Sequence, residues 1–235
     1  MWSTYRIFST DNLQKDITGR DFVENNLNMT ALQHAMQTPD EKVAASLFIK
    51  RYNAYIGVLE SMSKRQVVLD LSLDNMHFAV ANRTIVTYTP LKEQARKDTM
   101  TWQEAYLTSL FRDHLGVMIE AFAKHTGLSK TIMWGHVAFY VHAMYRKWIE
   151  TETSPIVKQT LVNDFNYLQR AHSNVFGIQS NPLCLTFCTM NVGQEEILLR
   201  RTCCLNYKTD AKRPCYTCPR IGEKQRLEIY QSVKA

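Results

Sequence analysis

Four of the chain's six cysteines lie between Cys203 and Cys218, in the order C-C-x10-C-x2-C. A segment that must gather four thiols cannot close as an ordinary strand, because neighbouring side chains of an extended chain point to opposite sides. Three chemistries gather thiols this densely: disulfides, a structural metal ion, or an iron–sulfur cluster. The N-terminal residues, MWSTYRIFSTDNLQKD, carry no continuous apolar run and no small-residue cleavage site, so they do not read as a secretory signal. The most apolar helical stretch, TIMWGHVAFYVHAMY, is too short to span a bilayer and carries two histidines. The expectation is a cytoplasmic protein that is not integral to the membrane, and in a reducing cytosol clustered thiols point to metal or redox chemistry.

The C-x-x-C half places two sulfurs on one metal in zinc and iron–sulfur sites alike. The adjacent pair is less common, since zinc sites space each pair by two to four residues. Cys203 and Cys204 both serve as ligands only where the backbone bends sharply or where the site has extent, as a two-iron cluster does. The other two cysteines, Cys184 and Cys188, share strand parity and read as small buried hydrophobes.

The net charge is +6, and it sits around the thiols. Arg200 to Arg226 hold eight basic and two acidic residues, so the rest of the chain is formally neutral. Four thiolates with two ferric ions and two sulfides carry −2, and a basic surround stabilises the further reduced form. A zinc ion on four thiolates carries the same charge. The alternative reading is therefore a zinc-stabilised basic module that binds nucleic acid or protein.

The rest of the chain predicts a mixed α+β protein, with a predominantly helical layer, a small antiparallel sheet and an irregular C-terminal segment. Residues 1–180 form the scaffold domain and residues 181–235 the cluster-binding segment. Residues 11–37 read as irregular helix, with Leu13, Ile17, Phe22, Leu27 and Leu32 loosely spaced. Thr38, Pro39 and Glu41 open a clearer helix as cap, first residue and capping-box partner. Val67 to Leu73, MHFAV and TIVTY read as a three-stranded antiparallel meander. Thr101 and Glu104 open a helix to about Lys124, closed by Gly127. Ser129 caps the next, to about Glu150, and Pro155 starts a third, to about Ser173. The stretch from Asn181 to Arg201 reads as a hairpin turning near Asn191 to Gly193.

Nucleotide-binding and hydrolase signatures are absent: there is no G-x-G-x-x-G, no phosphate-binding G-x-x-x-x-G-K-[ST], no G-x-S-x-G and no H-E-x-x-H. Redox chemistry in this chain would draw its electrons from an outside donor. His136 and His142 stand six residues apart, about 240° around a helix, and read as hydrogen-bonded histidines rather than ligands.

The pattern Cys203-Cys204, ten residues, Cys215-x-x-Cys218 and Pro219, with RRTCCLNY leading in and NPL upstream, resembles the C-terminal signature of the FhuF-like ferric siderophore reductases. Met133 to His136, MWGH, stands where that family tends to carry Trp-Gly-Asn, with His136 in place of the Asn. The resemblance covers roughly the last quarter of the chain. It implies a cytoplasmic iron–sulfur oxidoreductase holding one [2Fe–2S] cluster on Cys203, Cys204, Cys215 and Cys218. Its substrate would be a ferric siderophore of hydroxamate or citrate-hydroxamate type, and its donor a small ferredoxin or flavodoxin, with no nucleic-acid partner. One-electron reduction weakens the hold of hard oxygen ligands on iron and releases Fe(II). Arg200, Arg201, Lys208, Lys212 and Arg213 are candidates to attract the chelate, and Trp134 to line its pocket.

Overall fold

The computed structural model describes residues 1–12, 18–24, 28–192 and 195–234. After β1 (Ile7–Ser9), four helices follow: α1 (Gly19–Glu24), α2 (Met29–Met36), α3 (Glu41–Arg51) and α4 (Ala54–Lys64). Short strands come next: β2 (Val67–Val68), β3 (His77–Ala81), β4 (Thr84–Thr89) and β5 (Gln94–Ala95). Leu13, Ile17 and Leu27 of the expected irregular helix, and Gly193 of the expected turn, lie outside the described residues.

The α3 cap differs from the expectation. Asp40, not Thr38, is the N-cap, and its carboxylate accepts from the Lys42 and Val43 amides. Thr38 accepts from the Asp40 amide instead, so it orders the turn before the helix. A charged acceptor at the cap also meets the helix dipole, which favours Asp over Thr there. Every residue of α3 from Val43 to Lys50 is buried. The helix packs against α2, β4, the short turn Asn206–Lys208, and the later helices α6 (Val117–Thr126) and α7 (Lys130–Thr151). A helix buried on all sides is the pivot of a core rather than its cover.

The sheet is not a three-stranded meander. β3 and β4 pair antiparallel as expected, but their third neighbour is β1, parallel to β4 in the register Ile7↔Thr87 to Ser9↔Thr89. β2 pairs with β5 instead. The apolar alternation from Val67 to Leu73 supplies core residues, Leu69, Leu71 and Leu73, from a largely irregular segment.

The helical layer follows its caps closely. Thr99 caps α5 (Met100–Thr108), two residues ahead of the expected box, by accepting from the Trp102 amide. A π-helical stretch, Ser109–Gly116, joins α5 to α6. Gly127 ends α6 at φ +68°, a left-handed position that favours glycine. Ser129 caps α7 and Ser154 caps α8 (Pro155–Arg170), with Pro155 at the first turn. The third helix thus ends before Ser173. β6 (Thr189–Val192) and β7 (Glu195–Leu198) form the late hairpin, and α9 (Glu223–Lys234) follows the thiol segment. The stretch from Leu183 to Cys188 is not strand, and Cys184 and Cys188 are exposed rather than buried. Without strand pairing, their parity does not turn them into the core.

Among the described residues, no helix is long and apolar enough to cross a membrane.

Candidate metal centre and adjoining cleft

The thiol segment answers the problem that its adjacent cysteines pose. The chain turns back directly after Cys204, where Leu205 takes a left-handed conformation at φ 61°, ψ 12°. A leucine there carries a conformational cost of about 1 kcal/mol. The Leu205 amide, so placed, donates to Cys203 Sγ at 3.4 Å. The C-x-x-C half closes its own turn, with the Cys218 amide donating to the Cys215 carbonyl at 2.9 Å. The two halves then meet crosswise. Cys203 Sγ lies 3.9 Å from Cys218 Sγ, and Cys204 Sγ lies 3.9 Å from Cys215 Sγ.

A tetrahedral metal at about 2.3 Å from two sulfurs separates them by about 3.8 Å. Each crossed pair therefore matches two ligands of one ion. Among the described residues, no group of three or more His, Cys, Asp or Glu side chains gathers tightly enough to share a single ion. The four thiols thus stand as two pairs, each at the spacing of two ligands on one ion.

The segment is seated on α3 and α7 by contacts between residues far apart in sequence. Ser46, in the middle of α3, donates to the Cys204 carbonyl at 3.1 Å. Its single proton is thereby used, so the 2.9 Å contact with His136 Nε2 runs from the imidazole to Ser46 Oγ. His136 is neutral, because burial pushes its pKa well below the ordinary value and Arg200 and Lys50 push it the same way. Neutrality with Nε2 protonated leaves Nδ1 bare, and Nδ1 has no hydrogen-bond partner among the described residues. The expected hydrogen-bonded histidine is thus present, and it positions the thiol segment through Ser46. His142 is of the same kind, bonded through Nε2 to the Leu183 carbonyl at 2.8 Å.

Gly135, also on α7, lets the segment approach. A Cβ at that position would lie 2.5 Å from Thr202 Oγ1, next to Cys203. Lys50, at the end of α3, donates to Cys204 Sγ at 3.2 Å. The hydrogen bond from the Cys215 thiol, joined by the charges of Lys50 and Arg200, pushes the Cys204 thiol down to about 4. The same bond holds Cys215 protonated by raising its pKa. Burial raises Cys203.

The basic candidates separate into different environments. Arg200 is buried, its guanidinium 4.0 Å from the Phe139 ring and 4.8 Å from that of Tyr140, with Nε donating to Thr217 Oγ1. Thr217 Oγ1 in turn contacts Cys215 Sγ at 3.7 Å. Arg201 is exposed and lines a cleft of about 660 Å3 with Trp134, Lys130, Gly135, Phe187 and Thr202. Lys208 pairs with Asp40 at 3.6 Å, and Arg213 reaches Ser232. Lys208, Lys212 and Arg213 are not among the residues lining that cleft. A second cavity, of about 510 Å3, shares Lys130, Trp134, Gly177 and Ile178 with the first, so Trp134 stands between the two. Ser46 and Lys50 carry no sequence signal for this site, which only the pairing of α3 with the thiol segment shows, whereas Gly135 lies in the MWGH stretch already singled out.

The class so defined is an α+β protein with a largely helical scaffold that presents paired thiols beside an open, basic cleft. Residues 46–194 match the family profile described as "Ferric iron reductase FhuF-like transporter", and the chain belongs to that FhuF-like family. The family is one of ferric iron reductases linked to siderophores, which makes the chain an oxidoreductase at this coarse level. Comparison with curated proteins and with solved structures finds no match. The matched residues cover more than half of the chain and end before Arg200. The scaffold therefore carries the family likeness in its own right, where the sequence motifs point to the last quarter.

Proposed function

We propose that the protein is a cytoplasmic ferric siderophore reductase, in which Cys203, Cys204, Cys215 and Cys218 hold one [2Fe–2S] cluster. The observation that carries this reading is the crossed pairing of the thiols at 3.9 Å, beside a cleft that begins at Thr202. Such a cluster supplies one electron at a time, which is what reduction of Fe(III) to Fe(II) requires. An outside donor, a small ferredoxin or flavodoxin, restores that electron.

The chain's own residues bind and orient the substrate. The cleft's volume lies within the range of about 300–1,000 Å3 typical of small-ligand sites. Its lining includes Lys130 and Arg201 and no carboxylate. That balance suits a neutral or anionic ferric hydroxamate or citrate-hydroxamate. Trp134 and Phe187 give the cleft apolar walls for the chelate's organic backbone, and Thr202 joins its floor to Cys203. Lys208, Lys212 and Arg213 add to the positive field that draws an anionic chelate or an acidic donor protein. Bound iron loses affinity for its hard oxygen ligands once reduced, and the chelator leaves intact. In this reading residues 181–235 are the electron-transfer segment and residues 1–180 the scaffold.

The test is the iron, acid-labile sulfide and zinc content of anaerobically purified protein, followed by mixing dithionite-reduced protein with a ferric hydroxamate and an Fe(II) trap. About two iron and two sulfide per chain, with Fe(II) appearing as the protein reoxidises, is the expected result. One zinc and no sulfide after anaerobic reconstitution would replace this reading with a zinc-stabilised binding module.

A further inference from the structure

Lys50 is a costly residue where it stands. It lies on the last turn of α3, is only 9% exposed, and has no carboxylate partner among the described residues. A buried ammonium without a counter-charge costs several kcal/mol, and a methionine would fill the same space at no electrostatic cost. The group facing it is the Cys204 sulfur, 154 residues away in sequence and 3.2 Å away in space.

The surroundings of that contact are asymmetric. Lys50 donates to Cys204 Sγ, and Arg200 donates to Thr217 Oγ1, which reaches Cys215 Sγ at 3.7 Å, so both cations serve the Cys204–Cys215 pair. Arg200 is held from the other side by Phe139, Tyr140 and Thr217. Ser46, one turn before Lys50 on α3, fixes the Cys204 carbonyl. One buried helix thus holds Cys204 at both its backbone and its sulfur.

We infer that Lys50 is a positioning and potential-setting residue of the thiol centre: its ammonium holds Cys204 Sγ and favours the reduced state of the group bound there. The inference rests on the iron–sulfur reading above. The physical argument is Coulombic. Reduction adds one negative charge next to a cation screened from water, so the cation stabilises the reduced state more than the oxidised one. Removing it lowers the ratio of reduced to oxidised protein, at a fixed ambient potential, by about tenfold, which is about 59 mV for a one-electron couple.

The experiment is an anaerobic redox titration of the cluster-loaded protein, comparing wild type with K50Q, K50M, K50R and, as a distant control, K158Q on α8. Iron and sulfide are counted on each sample. The expected result is a roughly tenfold fall for K50Q and K50M at wild-type iron and sulfide content. K50R, which keeps the charge, should stay within about twofold of wild type, as should K158Q. If K50Q and K50M bind no iron while K50R does, the charge at position 50 is required and the inference stands. K50Q or K50M with full iron and sulfide and an unchanged potential would overturn it, as would a folded K50R that binds no iron. A wild-type protein without acid-labile sulfide would remove the iron–sulfur reading itself, which separates the two failures.

Discussion

Gly135→Ala tests whether the packing of the thiol segment on α7 is as close as the geometry states. A Cβ built on Gly135 would meet Thr202 Oγ1 at 2.5 Å, Cγ2 at 3.0 Å and Cβ at 3.3 Å. The first two distances lie well inside van der Waals contact, so either the threonine or the helix must move. In an isolated helix the same change would gain about 0.8–1 kcal/mol from backbone entropy. Overpacking a close contact costs about 1–3 kcal/mol. The clash outweighs the gain, and the net expectation is a loss of up to about 2 kcal/mol, centred near 1 kcal/mol. Thr202 precedes Cys203, so the displacement also reaches the Cys203–Cys218 pair, and iron content should fall with stability.

The partner change makes the argument specific. Thr202→Ala removes Oγ1 and Cγ2 and leaves only the 3.3 Å contact. Thr202 Oγ1 is buried without a hydrogen-bond partner among the described residues, so T202A alone should be near neutral. The double variant G135A/T202A should then recover wild-type stability or exceed it, giving a coupling of about 2 kcal/mol. Urea unfolding of all four proteins measures this, with iron content read on the same samples. A G135A variant as stable as wild type, or one that T202A does not rescue, would refute the close approach.

Cys203→Ser, Cys204→Ser, Cys215→Ser and Cys218→Ser should each lower iron and sulfide content, whereas the exposed Cys184→Ser and Cys188→Ser should leave both at wild-type levels. Asp164→Ala should cost about 3–5 kcal/mol in urea unfolding, because it strands the largely buried Arg96 guanidinium, now paired at 2.6 Å, and removes the acceptor of Ser63. Burial pushes the His114 pKa down to about 4, and burial lowers His136 and His142 as well. Between about pH 6.5 and pH 4 the unfolded chain therefore binds protons that folded His114 does not, so stability must fall as pH drops through that window. His114 alone accounts for about 3 kcal/mol of the loss. His114→Gln should flatten the pH dependence of the unfolding midpoint, and an unchanged slope would show that His114 is not buried as neutral imidazole.

The helical layer is legible where its boundaries are written locally. Gly127, Ser129 and Pro155 act within one turn of their own positions, and each performs the expected role. The caps at Asp40 and Thr99 were displaced by two residues because several acceptors crowd each start, and tertiary packing selects among them. The sheet was less legible for a different reason. The hairpin of β3 and β4 is local, but the partner of β4 is an N-terminal strand some 80 residues earlier, and no periodicity announces a parallel pairing at that distance. The exposure of Cys184 and Cys188 follows from the same limit, since parity fixes a face only where a strand forms.

The thiol centre shows where the boundary between sequence and structure falls. The sequence identifies four cysteines and a concentration of positive charge, and it implies that the vicinal pair needs a bent backbone or an extended site. The structure shows the bend, at Leu205, and sets the four thiols in two crossed pairs. Yet the cation nearest a sulfur is not one of the eight in the basic segment. It is Lys50, from the buried helix α3, and Arg200 joins it only by turning inward against the Phe139 and Tyr140 rings. Charges on a solvated segment are screened within about 10 Å by salt, whereas a cation fixed beside a sulfur is not. The basic segment therefore suits long-range attraction, and the two buried cations suit the energetics of the centre. That division is why the surroundings of the thiol centre come from α3 and α7 as well as from the residues around the cysteines.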